Sequence, residues 1–82
     1  MSKKRKLHDK ALRGAELTFD ELLTLSGYFG FAYVRSAGSH TFLANPNVSD
    51  TLNFQSDRGK AKNYQVKQLL RLIQEKGLTL DG

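Results

Sequence analysis

The sequence contains no cysteine, and its 8 acidic residues are outnumbered by 13 lysines and arginines. Without cysteine the chain forms neither disulfides nor thiolate zinc sites, and it offers no cysteine nucleophile. No apolar run approaches the roughly 20 residues of a membrane-spanning helix. The N-terminus also lacks the apolar middle section of a secretory signal peptide. We therefore expect a cytoplasmic domain that does not bind membranes.

The length and the distribution of charge narrow the class of partner. The 82 residues are enough for one compact domain. The formal charge of +5 is concentrated in two clusters that contain no acidic residue. The first cluster is Lys3, Lys4, Arg5 and Lys6, and the second is Arg58, Lys60, Lys62, Lys67 and Arg71. Two basic clusters favour a nucleic-acid partner, although a solubilising tail and a solvated helix face would have the same composition.

The N-terminal half predicts a basic segment followed by a capped helix. Residues 1–15 are polar and basic, which fits either a disordered arm or a short helix. Thr18 and Glu21 have the capping-box spacing, and apolar residues then recur at helical intervals up to Phe29. Gly30 is suited to end this helix in a left-handed conformation.

The middle of the chain predicts three strands. Residues 31–36 are rich in aromatic and β-branched side chains, 37–39 form a small-residue turn, and 40–44 return antiparallel. Residues 45–50 have the composition of a loop. Residues 51–55 predict a third strand with Leu52 and Phe54 on one face and Asn53 on the other.

A polar loop and a second long helix complete the predicted fold. Asn63 fits a helix N-cap, and the core-facing stripe comprises Val66, Leu69, Leu70 and Ile73. The fold class is α+β in the order α-β-β-β-α, with both helices on one side of a three-stranded antiparallel sheet. That is the layout of a double-stranded-RNA-binding domain.

The two histidines differ in their predicted settings. His8 lies in the basic segment and is interpreted as a solvated tail residue. His40 follows Gly38 and Ser39, so the hairpin backbone holds its imidazole at the sheet edge. An ordinary surface histidine on a strand is the alternative. A serine triad is disfavoured because Ser39 and His40, as neighbours on a strand, point to opposite faces.

The remaining chemistry is acid–base catalysis on RNA, which needs neither metal nor cofactor. The scattered aspartates and a lone histidine make a poor metal site. RNA carries its own nucleophile, the 2′-hydroxyl, and His40 has the right chemistry to move its proton. The cations that would stabilise the phosphate are Lys60, Lys62, Lys67 and Arg71. With one histidine in the predicted folded region, such an enzyme would be slow.

Two sequence blocks resemble the HicA family of RNA-cleaving toxins. They are FDELLTLSGYFGFAYVRSAGSHTF and LNFQSDRGKAKNYQVKQLLRLIQEKGL. The resemblance implies an RNA-binding-domain-like fold over residues 16–82, preceded by the segment 1–15, and metal-independent cleavage of mRNA. It also implies that a HicB-like antitoxin covers the active site. The family's catalytic histidine corresponds to His40 and its turn glycine to Gly38.

This chain departs from the family pattern at two places. Thr41 stands where many relatives carry a second histidine, and Asn53, Phe54 and Gln55 replace a histidine and proline of many short members. We expect the free chain to be a monomer. Two alternatives stay open: a non-catalytic RNA-binding module, and an inactive remnant that only binds an antitoxin. For Met1 to Lys6 a nonspecific electrostatic contact with RNA is favoured over a targeting signal.

Overall fold

The computed structural model describes residues 2–80, so the outer ends of the segments 1–15 and 16–82 lie outside the described residues. The fold is α+β, as predicted, with a three-stranded antiparallel sheet in the order β1-β2-β3. The elements in chain order are α1 (Lys3–Leu12), α2 (Phe19–Tyr28), β1 (Ala32–Ala37), β2 (His40–Asn45), β3 (Val48–Gln55) and α3 (Asn63–Lys76).

The basic N-terminal segment forms a helix that packs on the rest of the protein. The Ser2 hydroxyl caps α1 by accepting a hydrogen bond from the Arg5 amide, and Ala11 is buried in the common core. The His8 ring meets the Phe29 ring edge-on, with centroids 5.0 Å apart. The interpretation of His8 as a solvated tail residue was therefore wrong. Amphipathic spacing of Leu7 and Ala11 brings this side of α1, including His8, onto the core.

The predicted capping box of α2 is confirmed. The Thr18 amide donates to Glu21 Oε1 at 2.9 Å, and the Glu21 amide donates to Thr18 Oγ1 at 3.0 Å. Lys10 of α1 also reaches this carboxylate, with Nζ 3.0 Å from Oε2. The helix start thus anchors α1 as well as its own first turn.

We expect the Glu21 charge to stabilise the fold in a pH-dependent way. The Thr18 amide, followed by the Lys10 ammonium, lowers the pKa of Glu21. Stability from a depressed carboxyl pKa is present above the unfolded-state value and is lost as pH falls through the folded-state value. Glu21→Gln should therefore lower the free energy of unfolding at pH 7 by about 0.5–1 kcal/mol, and by less near pH 3. Urea denaturation at both pH values measures this difference.

A matched control is Glu16→Gln, which removes a carboxylate from an exposed pair with Lys60. Exposed pairs of this kind contribute little, so this variant should show a smaller change at pH 7. If the free energies of unfolding of wild type and Glu21→Gln differ by the same amount at the two pH values, the electrostatic explanation is contradicted.

The connection between β2 and β3 is tighter than predicted. Residues 45–50 were expected to form a loop, but β3 already begins at Val48 after a turn at Pro46 and Asn47. Asn45 is buried, and its side chain accepts a hydrogen bond from the Asn47 amide at 2.9 Å. The local amide contact organises the tight turn, which polar composition alone did not distinguish from a longer loop.

The same asparagine joins the hairpin to the end of α2. Asn45 Nδ2 donates to the Phe29 carbonyl at 3.0 Å. Gly30 has the predicted left-handed conformation, with φ of 96°, and a Cβ at this position would lie 2.9 Å from Asn45 Nδ2. A side chain at position 30 would therefore be strained by this φ and would have to displace the buried Asn45 amide.

One face of the sheet and the helices share a single core. Leu43, Leu52 and Phe54 lie on the buried face, together in one cluster with residues from α1, α2 and α3. Most of the predicted α3 stripe is confirmed, but Leu70 is only half-buried. Leu72 and Gln65 are buried as well, so α3 is rotated relative to the predicted stripe.

Two further findings concern the helix ends and lengths. Helix α3 starts at Asn63 with Lys62 in the N-cap position and no side-chain capping bond, so the assignment of Asn63 as N-cap was wrong. Between residues 2 and 80, no helix has the length and apolar character needed to cross a membrane.

Candidate functional site

The sheet has a second face, opposite Leu43, Leu52 and Phe54. Antiparallel partners share a face, and the register defines two rows across the three strands on this side. The rows are Ala37–His40–Gln55 and Arg35–Phe42–Asn53. We call these six residues the open face. The rows contain no aspartate or glutamate, so the polar character of the open face comes from basic, amide and imidazole groups.

The turn between β1 and β2 positions His40. Gly38 has φ of 60°, as two-residue hairpin turns require, and His40 is the first residue of β2. The Ser39 hydroxyl accepts a hydrogen bond from Gln55 Nε2 at 2.8 Å. This bond fastens the turn to β3. The imidazole therefore projects from a backbone that is paired with β1 on one side and with β3 on the other.

Asn53 fixes the orientation of the His40 ring. Its Oδ1 lies 2.9 Å from His40 Nδ1. An amide oxygen only accepts hydrogen bonds, so in this arrangement Nδ1 carries the hydrogen. In the neutral ring Nε2 then holds the lone pair. The half-buried imidazole thus presents its basic nitrogen away from Asn53 and is able to accept a proton there.

Lys62 borders the row that contains His40. Its Nζ donates to Gln55 Oε1 at 3.3 Å and also lies 5.9 Å from the centroid of the Tyr64 ring. Gln55 links the turn at Ser39 to this ammonium through its two amide atoms. A cation is thereby held at the end of the open face, close to the histidine row.

The other predicted cations lie elsewhere. Arg58 and Gly59 form a turn with positive φ angles of 54° and 84°, and Lys60 pairs with Glu16 at 3.2 Å. Lys67 and Arg71 are exposed on α3, in the helix layer that packs against the buried face. The structure thus brings Lys62 to the His40 row and places Lys67 and Arg71 on the other side of the sheet.

Four residues of the open face were not assigned a role from the sequence. They are Arg35, Phe42, Asn53 and Gln55. The Arg35 guanidinium lies 4.3 Å from the centroid of the Phe42 ring, a cation–π contact across β1 and β2. Alternation from His40 would have placed Phe42 on its face. The positions of Asn53 and Gln55 depend on the β2–β3 register, which the loop prediction for 45–50 left undefined.

Comparison with known proteins finds no matching family model, no matching curated protein and no matching solved structure. The resemblance to HicA toxins therefore depends on the two sequence blocks alone. What the fold adds is the geometry around His40: an oriented imidazole, a nearby ammonium and a sheet face without acids.

Proposed function

We propose that this protein is an endoribonuclease toxin of the HicA type that cleaves mRNA without a metal, on a double-stranded-RNA-binding-domain-like fold. The observation that carries the proposal is the hydrogen bond between His40 and Asn53. Because Nδ1 is bonded to Asn53, the basic Nε2 of the oriented imidazole points away from that asparagine. Lys62 and the acid-free rows favour a polyanionic substrate at this place.

The reaction requires only groups that the protein and RNA supply. His40 Nε2 removes the proton of a 2′-hydroxyl, whose oxygen then forms a bond to the adjacent phosphorus. The bond from phosphorus to the 5′-oxygen breaks, and this oxygen takes up a proton from the imidazolium or from water. Lys62 stabilises the additional negative charge on the phosphate oxygens in the transition state. The products carry a 2′,3′-cyclic phosphate and a 5′-hydroxyl.

A toxin of this type would be neutralised by a HicB-like antitoxin that covers His40. The protein partner and the RNA would then compete for the same face of the sheet. A non-catalytic RNA-binding module is the second candidate, supported by the Arg35–Phe42 contact, which provides a binding surface without any need for turnover.

Incubation of the protein with a defined RNA in EDTA tests the proposal. The matched substrate has the same sequence with 2′-O-methyl groups, which block the nucleophile. We expect fragments with cyclic phosphate ends from the unmodified RNA and none from the methylated RNA. If both RNAs stay intact but migrate as complexes in a native gel, the binding module is favoured. Intact RNA without complexes would contradict both the endoribonuclease and the RNA-binding module, and would favour the inactive remnant that only binds an antitoxin.

A further inference from the structure

We propose that the open face binds unpaired, single-stranded RNA, with one nucleobase stacked on the Arg35–Phe42 pair beside His40. The inference rests on the proposed function and adds the form of the RNA and the surface along which it lies. Arg35 is exposed and Phe42 is half-buried beneath its guanidinium. The outer side of the guanidinium is therefore available to a further planar group.

Guanidinium planes and aromatic rings are the groups on which unpaired bases stack. Inside a duplex each base is already covered by its neighbours, so a base reaches this pair only when it is unstacked. Domains that read single-stranded RNA on a sheet use exposed aromatic side chains in the same way. The helices that pack on this sheet contribute to the core on its other side. The open face is therefore not covered by them, and its Arg35–Phe42 pair has the chemistry that base stacking requires.

The spacing connects this contact to catalysis. Phe42 and His40 are two residues apart on β2 and on one face, a separation of about 6.5–7 Å. Asn53 lies opposite Phe42 in the register and is hydrogen-bonded to His40. A base on the Arg35–Phe42 pair thus places its neighbouring phosphate near the imidazole. Beyond His40, Lys62 and the exposed Tyr64 ring continue the path.

A duplex lying across α3 would use different residues. Lys67 and Arg71 are exposed there, but α3 packs on the buried face of the sheet, away from His40. RNA held by these cations would leave its phosphates on the wrong side for the imidazole. The site geometry therefore favours a single strand on the open face over a duplex on the helices.

Fluorescence anisotropy with a labelled 2′-O-methyl RNA measures binding without cleavage. The decisive variant is Arg35→Lys, which keeps the charge but removes the planar group. We expect its dissociation constant for the single strand to rise about 5- to 100-fold. Lys76→Gln removes one exposed charge from the last turn of α3 and should change it less than about twofold. A hairpin duplex should bind more weakly than the single strand.

Circular dichroism melts establish that each variant is folded. Binding of Arg35→Lys at wild-type strength would overturn the proposal, because a phosphate contact tolerates lysine. The proposal would also be overturned if the duplex bound more tightly than the single strand through Lys67 and Arg71. A folded wild type that binds no RNA would overturn it as well. Because the probe is uncleavable, the expected pattern supports the single-strand site even if the EDTA assay shows no cleavage.

Discussion

His40→Asn should lower the rate of RNA cleavage by about 10²- to 10⁴-fold, the range for a general acid–base group. The asparagine amide nitrogen takes the place of Nδ1 and retains a donor for Asn53 Oδ1, which lies 2.9 Å away in the wild type. The variant lacks a counterpart of Nε2, so it has no group to accept the 2′-hydroxyl proton. Single-turnover cleavage of an end-labelled RNA measures the rate.

The companion variant His8→Asn removes the other imidazole. His8 lies on α1 against Phe29, on the helix side of the molecule, so cleavage should continue at the wild-type rate. If His40→Asn cuts RNA as fast as wild type, the acid–base role is excluded. Where cleavage is lost, the anisotropy assay shows whether the variant still binds RNA, which separates a loss of chemistry from a loss of substrate binding.

Phe54→Ala should reduce the free energy of unfolding by about 3–5 kcal/mol. Phe54 has no exposed surface and is among the largest fully buried side chains in residues 2–80. Truncation leaves a cavity between β3 and the helices that neighbouring residues fill only in part. Small domains have total free energies of unfolding of about 5–15 kcal/mol, so Phe54→Ala would lose a large share of the protein's stability. Urea denaturation followed by circular dichroism gives the difference.

Tyr33→Ala is the matched control because it also truncates an aromatic side chain of the sheet. Tyr33 is 62% exposed on β1, and its change should stay within about 1 kcal/mol. A similar loss for both variants would mean that the core does not depend on Phe54 as its burial implies. An aggregated Phe54→Ala sample would be replaced by Phe54→Leu, with a smaller loss in the same direction.

Local signals in the sequence were sufficient for most elements of the fold. The capping box at Thr18 and Glu21 marks the start of α2, and the left-handed Gly30 follows its end. Both are short-range effects, since the interacting atoms lie within a few residues. The alternation of Leu52 and Phe54 likewise identified the buried face of β3.

The candidate site was predicted less completely because its parts meet across strands. His40 was singled out by its turn, but its partner Asn53 lies 13 residues further along the chain. Their contact depends on the β2–β3 register, and the turn that joins these strands contains a local bond from the Asn47 amide to the Asn45 side chain. The basic cluster was equally ambiguous: Lys62 and Lys67 are five positions apart, yet Lys62 contacts Gln55 of the open face whereas Lys67 lies exposed on α3.

The fit between Gly30 and Asn45 couples two distant positions of the sequence. A methyl group at position 30 would meet the Asn45 amide at 2.9 Å, and the same amide holds the Phe29 carbonyl. A smaller residue at 45 would make space for a larger one at 30, but it would forfeit the bond to α2, and the φ of 96° would still strain the larger residue. Both positions therefore carry a cost of substitution, singly or together, and this corner constrains how the sequence can drift.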